Sequence, residues 1–306
     1  MAADNISERL VDSINAAQGV HPGQRAAHAK GVLCAATFRP APEARSLTRA
    51  AHLADGAIRA HVRFSNGSGN PSAPDGARDG RGIALKMYGP AGTTDIIGLS
   101  LPVFFTRTPE DLLEFNEARR PDPATGAPNL EKVGAFLAAH PEAVPAVTAS
   151  ITLPIPASYA AVTYHSIHAY GFETGDGLIR YGRYRFAPAA NDAPLTDEEA
   201  AARPADYLRD ELAERLGHGP VGFRIEVILA GPADPVDDPT AAWPEDRETL
   251  PLGELEIGGL ADDRERDGDI LVFDPTRVVD GITLSKDPIL LARPGAYSVS
   301  VARRTR

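Results

Sequence analysis

Cysteine is almost missing from this chain. Among 306 residues there is one, Cys34, so no intrachain disulfide can form and a cysteine-rich zinc site is excluded. Positive charge is also short: 31 Lys and Arg stand against 42 Asp and Glu, a net charge of -11. That excludes a general binder of nucleic acid or anionic membrane, which needs clustered positive charge. The arginines can still gather around one small anionic group. No stretch approaches the roughly 20 apolar residues needed to span a bilayer. The N-terminal segment MAADNISERLVDSINAAQG has neither the basic start nor the apolar core of a signal peptide. A cytoplasmic protein is therefore expected. Internal repeats and low-complexity tracts are absent. What remains is ordinary: 43% hydrophobic and 24% charged residues exclude wholesale disorder and suffice for a full core.

One stretch concentrates the chemistry. In Arg25-Ala26-Ala27-His28-Ala29-Lys30-Gly31 a histidine lies between alanines, just before a Lys-Gly break. Small neighbours leave the imidazole room to face a flat ligand, and Arg25 can meet an acidic edge of that ligand. Alone, such a histidine is more often a hydrogen-bonded core residue. The rest of the chain must decide.

Ile6, Leu10, Val11 and Ile14 recur at helical spacing, which makes residues 1–20 a helical N-terminal arm. Strands are expected over 32–38, 57–65, 83–88, 94–97, 221–230 and 252–257. A further pair, 158–172 with 178–186, turns at Gly175-Asp176-Gly177. In 57–65 one face reads Ile58, Ala60, Val62 and Phe64. The other reads Arg59, His61, Arg63 and Ser65, and so either meets water or lines a polar, liganded cavity. Residues 66–82 form a long Gly-, Pro- and Asp-rich loop, a length that points to function or disorder. Short helices are expected over 46–53, 109–119 and 130–140. The longest helix is placed over 197–216, with a break near Pro204. Strands joined by hairpin turns predict an α+β fold with a closed antiparallel sheet and helices outside it, with no confident internal boundary.

Four blocks in order carry a resemblance. After Arg25–Gly31 come Val62-Arg63-Phe64-Ser65 and Arg78-Asp79-Gly80-Arg81-Gly82-Ile83-Ala84-Leu85-Lys86. Then follow Asp95-Ile96-Ile97-Gly98 with Pro102-Val103-Phe104-Phe105. Last come Phe273-Asp274-Pro275-Thr276-Arg277-Val278-Val279 and Arg293-Pro294-Gly295-Ala296-Tyr297. Together they resemble the haem catalase superfamily, from about residue 20 to the end. The resemblance implies a haem b held inside an antiparallel eight-stranded β-barrel with surrounding helices, the whole of 1–306 forming one haem domain like the minimal members of the family. His28 matches the distal histidine, which takes a proton from bound peroxide and hands it to the leaving oxygen. Ser65 matches the serine that orients it. Tyr297 matches the phenolate iron ligand, a role known for catalases. Arg293 matches its cationic partner, and His168 backs that arginine. Arg25, Arg63 and Arg304 match the arginines that pair with haem propionates. Phe104 and Leu112 match positions against the haem, Leu112 standing where an aromatic is usual.

The departures matter as much. Where catalases carry Asn-Asn-Thr, this chain has Leu99-Ser100-Leu101, and Ala27 replaces a usual valine. Leucine cannot hydrogen-bond peroxide. A roomier, more apolar pocket implies a peroxidase that reduces hydrogen peroxide or organic hydroperoxides with a small organic reductant, with weak catalase activity. Two alternatives remain at this point. One is a fatty-acid hydroperoxide isomerase of allene oxide synthase type, suited by Leu99 and Leu101. The other is a haem-binding sensor without turnover. The resemblance also leans toward a homodimer, and leaves open whether NADPH binds.

Overall fold

A computed structural model of the chain describes residues 5–54, 56–262 and 270–305. Residues 1–4 of the expected arm and Arg306 lie outside the described residues.

Ten strands form one antiparallel sheet: β1 (Gly31–Pro40), β2 (Ile58–Asn66), β3 (Arg81–Gly89), β4 (Gly92–Leu99), β5 (Tyr164–His165), β6 (Tyr170–Glu173), β7 (Ile179–Pro188), β8 (Val221–Leu229), β9 (Thr249–Leu260) and β10 (Ile282–Leu284). Pairing runs β7-β5-β4-β3-β2-β1-β9-β8 and returns from β8 to β7, which closes an eight-stranded barrel. Strands β6 and β10 extend from it beside β7. Closure removes the unpaired edges that an open sheet would expose.

The barrel fills itself. Ile58, Ala60, Val62 and Phe64 of β2 point inward with Ile83, Leu85 and Met87 of β3, and all seven are buried. Phe64, Tyr159, Tyr164 and Phe223 pack ring against ring across the interior, at centroid distances of 5.4 to 6.0 Å. Because side chains alternate along a strand, the set Arg63, Ser65, Gly82, Ala84, Ile97 and Leu99 lies on the outer face. Register places Ser65 beside Gly82 and Gly82 beside Leu99. Along β2 that outer face passes from exposed Arg59 to buried Arg63 and Ser65. Both readings of the polar face therefore apply, one at each end.

The helices described are α1 (Ile6–Gln18), α2 (Ala44–Leu47), α3 (Pro109–Ala118), α4 (Leu130–Ala139), α5 (Val144–Ile151), α6 (Asp197–Ala201), α7 (Tyr207–His218) and α8 (Pro288–Arg304), of which α1 and α8 face the buried half of β2. α1 packs against α3 and α8, with Leu10 and Val11 buried. The expected long helix over 197–216 is instead two, α6 and α7, because Pro204 lacks the N–H an unbroken helix needs there. The longest helix is α8. The expected strand over 158–172 reduces to β5, β6 and a single helical turn at Tyr159–Ala161. Among the described residues, no helix is long and apolar enough to cross a membrane.

The 66–82 loop is ordered by its own polar groups. The buried guanidinium of Arg81 donates to the carbonyl oxygens of Asp79 (2.6 Å), Asp75 (2.7 Å) and Ala77 (3.0 Å). Asp75 accepts from Asn66 at 2.7 Å and from the Leu208 backbone at 2.8 Å, which ties the loop to α7.

Candidate active site

The loop fixes His28. Its backbone N–H donates to the Gly67 carbonyl at 3.1 Å, and that of Ala29 donates to Ser68 at 3.0 Å. These bonds hold His28 at φ 56°, the one non-glycine positive φ among the described residues. That region disfavours a side chain, at a cost on the order of 1 kcal/mol. His28 Nδ1 lies 3.0 Å from Ser65 Oγ, leaving Nε2 as the ring nitrogen that Ser65 does not engage. Burial, and then the cations of Arg63, Arg293 and Arg25, push the His28 pKa down to about 3. The imidazole is neutral at ordinary pH.

Gly82 makes this arrangement possible. A Cβ there would stand 2.8 Å from Ser65 Oγ and 3.1 Å from His28 Cε1 and Nδ1. Only a bare backbone fits beneath the ring.

A second chain of contacts starts on α8. Arg293 donates to Tyr297 Oη through Nε (2.8 Å) and Nη2 (2.5 Å), and its Nη1 lies 2.9 Å from His168 Nε2. His168 Nδ1 lies 2.6 Å from Asp287 Oδ2. Burial pushes the His168 pKa down to about 4 even though Asp287 opposes the shift. A neutral His168 donates from Nδ1 to Asp287 and accepts from Arg293 at Nε2. Asp287 also caps α8, its Oδ1 accepting from Ile289 (2.8 Å) and Leu290 (3.2 Å). One carboxylate thus starts the helix and ends the polar chain.

His28, Ser65, Leu99, Ala27, Arg293 and Tyr297 all line one slot between β2–β4 and α8. Arg25, Arg63 and Arg304 line it as well. Arg63 donates to the Ala29 carbonyl at 3.1 Å and Arg25 to the Leu271 carbonyl at 3.0 Å. His168 joins through Arg293. The slot lies on the outer face of the barrel and not within it, since the interior is packed with apolar side chains. That corrects the expectation of a ligand held inside the barrel.

Phe104 and Leu112 are not among the slot's lining residues. The Phe104 ring meets Phe105 edge-on at 5.7 Å, and Leu112 packs on the small cluster around Phe115 and Phe136. Leu101 is buried away from the slot, so of the two leucines only Leu99 faces it. Reading the sequence missed Val11 and Ile14, which bring α1 to the slot, and Asp287. The Asp287-Pro288 pair before an apolar run is a helix-start signal that could have marked the cap.

The donor set suits an anionic, iron-bearing macrocycle: a phenol oxygen to ligate iron, a neutral imidazole in the same slot, and three arginines for carboxylates. A family model described as catalase matches residues 9–306. A catalase-related peroxidase of Mycolicibacterium paratuberculosis is 40% identical over 302 residues, covering 97% of this chain and 94% of its own. A second, from Synechococcus elongatus, is 34% identical over 300 residues, covering 98% and 88%. A bromoperoxidase-catalase of Streptomyces venezuelae is 30% identical, over 90% of this chain and 60% of its own. Among solved structures, a fungal catalase superposes with a TM-score of 0.83 at 24% identity, over 96% of this chain and 62% of that one.

Proposed function

The chain belongs to the catalase family, and from that premise and the slot's geometry we propose that 1–306 acts as one haem b peroxidase. It reduces hydrogen peroxide or an organic hydroperoxide with a small organic donor, and its catalase activity is weak. Tyr297 would ligate the iron through its phenol oxygen, with Arg25, Arg63 and Arg304 on the propionates. Haem supplies the redox centre for O–O cleavage and donor oxidation.

The protein's own part is proton handling and exclusion. Neutral His28, oriented by Ser65, takes the peroxide proton and returns it to the oxygen that leaves. Arg293 holds the Tyr297 oxygen with two donated bonds, and Asp287 fixes the tautomer of His168 that backs the arginine. Phe104 and Leu112, matched by resemblance to positions against the haem, stand outside the slot's lining. In balance, one hydroperoxide and two phenols give one alcohol, one water and two phenoxyl radicals. With hydrogen peroxide the alcohol is a second water.

Leu99 carries the choice of peroxidase over catalase. It lines the slot beside Gly82 and His28 and offers no hydrogen bond, so a second peroxide lacks a polar partner there. The test records oxygen evolution and phenol oxidation side by side on haem-loaded protein. Wild type should oxidise the phenol with little oxygen, and Leu99→Asn should release several-fold more oxygen. Vigorous oxygen release by the wild type would overturn the peroxidase reading. Consumption of a lipid hydroperoxide with no donor would favour rearrangement within one molecule instead.

A further inference from the structure

Outside the slot's lining, α3 meets the corner that follows α4. Asp111 and Glu114 stand three apart on α3, a spacing that puts them on one face. Opposite them the chain leaves α4 at His140, and a residue before proline avoids the helical region. His140 accordingly takes φ -124° and ψ 71°, and one helical turn, Pro141–Ala143, follows it. The corner brings His140 and Glu142 up to α3.

Asp111, His140 and Glu142 converge there. One carboxylate oxygen or ring nitrogen from each lies within 4.8 Å of those of the other two, and all three residues are half-buried. His140 Nδ1 lies 3.5 Å from Glu142 Oε1, and its Nε2 lies 3.4 Å from Glu114 Oε2. Both separations are long for an N–H···O bond, which favours roughly 2.7–3.2 Å. Two donors held by one tetrahedral zinc at about 2.0–2.1 Å stand about 3.3 Å apart, close to the Nδ1 to Glu142 separation. A charged imidazole bridging Glu114 and Glu142 would leave Asp111 aside. The Asp111 carboxylate makes no hydrogen bond or ion pair with another described residue. Packing fixes the ring beforehand: His140 stacks on Phe136 at 4.4 Å, and Phe136 lies 5.3 Å from Phe115.

We propose that Asp111, His140 and Glu142 form a site for a divalent transition-metal ion of zinc's kind. His140 Nδ1 and one oxygen each from Asp111 and Glu142 are the ligands, and water completes the set. Glu114 accepts from Nε2 and orients the ring, as carboxylates behind metal-bound histidines do. A nitrogen among carboxylate oxygens suits zinc, whereas magnesium and calcium prefer oxygen alone. The ion ties α3 to the α4 corner, and α3 packs in turn on α1 and α8. Its role is to stiffen this helical layer, and it takes no part in the chemistry of the slot.

The test uses haem-loaded protein freed of other metals by a chelator. Zinc bound per chain is measured by equilibrium dialysis and elemental analysis, with iron counted in the same samples. Wild type should bind one zinc per chain, and less tightly below about pH 6, where protons compete for the imidazole. Glu114→Gln should weaken binding about tenfold, and His140→Ala or Asp111→Asn should weaken it more. His218→Ala, which removes an exposed histidine at the end of α7, should change nothing. Zinc should raise the melting temperature of the wild type but not of His140→Ala, and magnesium should raise neither. No zinc bound at about 10 μM free ion overturns the proposal. So does zinc binding that survives both His140→Ala and Asp111→Asn, or that is lost in His218→Ala.

Discussion

His28 is held in a backbone conformation that few side chains tolerate, by two loop carbonyls and the bare edge of Gly82. The strain is local and its purpose geometric: a ring placed against Ser65 with one nitrogen left over. Gly82→Ala should therefore lower kcat/KM with peroxide by roughly 10- to 100-fold while haem absorbance and thermal stability change little. Unchanged turnover in that variant would show that the ring can shift without consequence. At this scale much of the candidate site could be read from sequence, because His28, Ser65, Arg25, Arg63, Arg293 and Tyr297 sit in ordered blocks with fixed spacing. Asp287 could not. Its helix-cap role is local, but the contact with His168 joins residues far apart in sequence, and no spacing rule announces such a pair. Phe104 and Leu112, also matched by resemblance, lie outside the slot's lining and pack on Phe105 and on the cluster around Phe115 and Phe136.

At the scale of elements, the segment that carries Phe273 is strapped to the barrel by a buried ionic cluster. Lys86 Nζ meets Asp95 at 2.6 and 2.7 Å, Arg277 reaches the same carboxylate at 2.5 Å, and the Asp274 N–H donates to it at 2.8 Å. Lys86 and Asp95 are 3% and 1% exposed. Removing Lys86 leaves the buried Asp95 carboxylate with Arg277, itself 39% exposed, as its remaining cation in the cluster. Lys86→Met should lower unfolding free energy by about 3–5 kcal/mol, and Lys86→Met with Asp95→Leu by less. Denaturant titration of the two variants checks the order. An equal loss in both would mean the pair itself, not the carboxylate left short of one cation, sets the cost. The strands were the legible elements: alternation located β1 to β4 within a residue or two at each end. Helix α8 escaped as an element although Arg293 and Tyr297 stand four apart, because Pro294 and Gly295 interrupt its pattern. The 158–172 stretch misled in the other direction, its aromatic residues filling the barrel interior from a helical turn and two short strands.

The molecule as a whole should be sensitive to acid. His52 and His168 are 2% and 1% exposed, and burial pushes each pKa down to about 4 from 6.5. The unfolded chain binds these protons more readily, so stability is full above pH 6.5 and falls as pH drops toward 4. The melting temperature of the apoprotein should rise across that window and level off above it. His52→Leu should flatten the rise, because the His52 ring has no hydrogen-bond partner among the described residues. A melting temperature independent of pH there would contradict the assignment. Hairpin-joined strands predicted a closed sheet but not which strands close it, since pairing of β7 with β8 and of β1 with β9 depends on contacts that periodicity does not encode. The placement of α8 after every barrel strand has a consequence in time. The ribosome makes the imidazole first and the phenol about tens of seconds later, so a growing chain can complete its barrel while it still lacks Tyr297, Arg293 and Arg304. A chain interrupted before α8 would carry His28 and Ser65 without Tyr297, Arg293 and Arg304, the residues proposed to hold the haem.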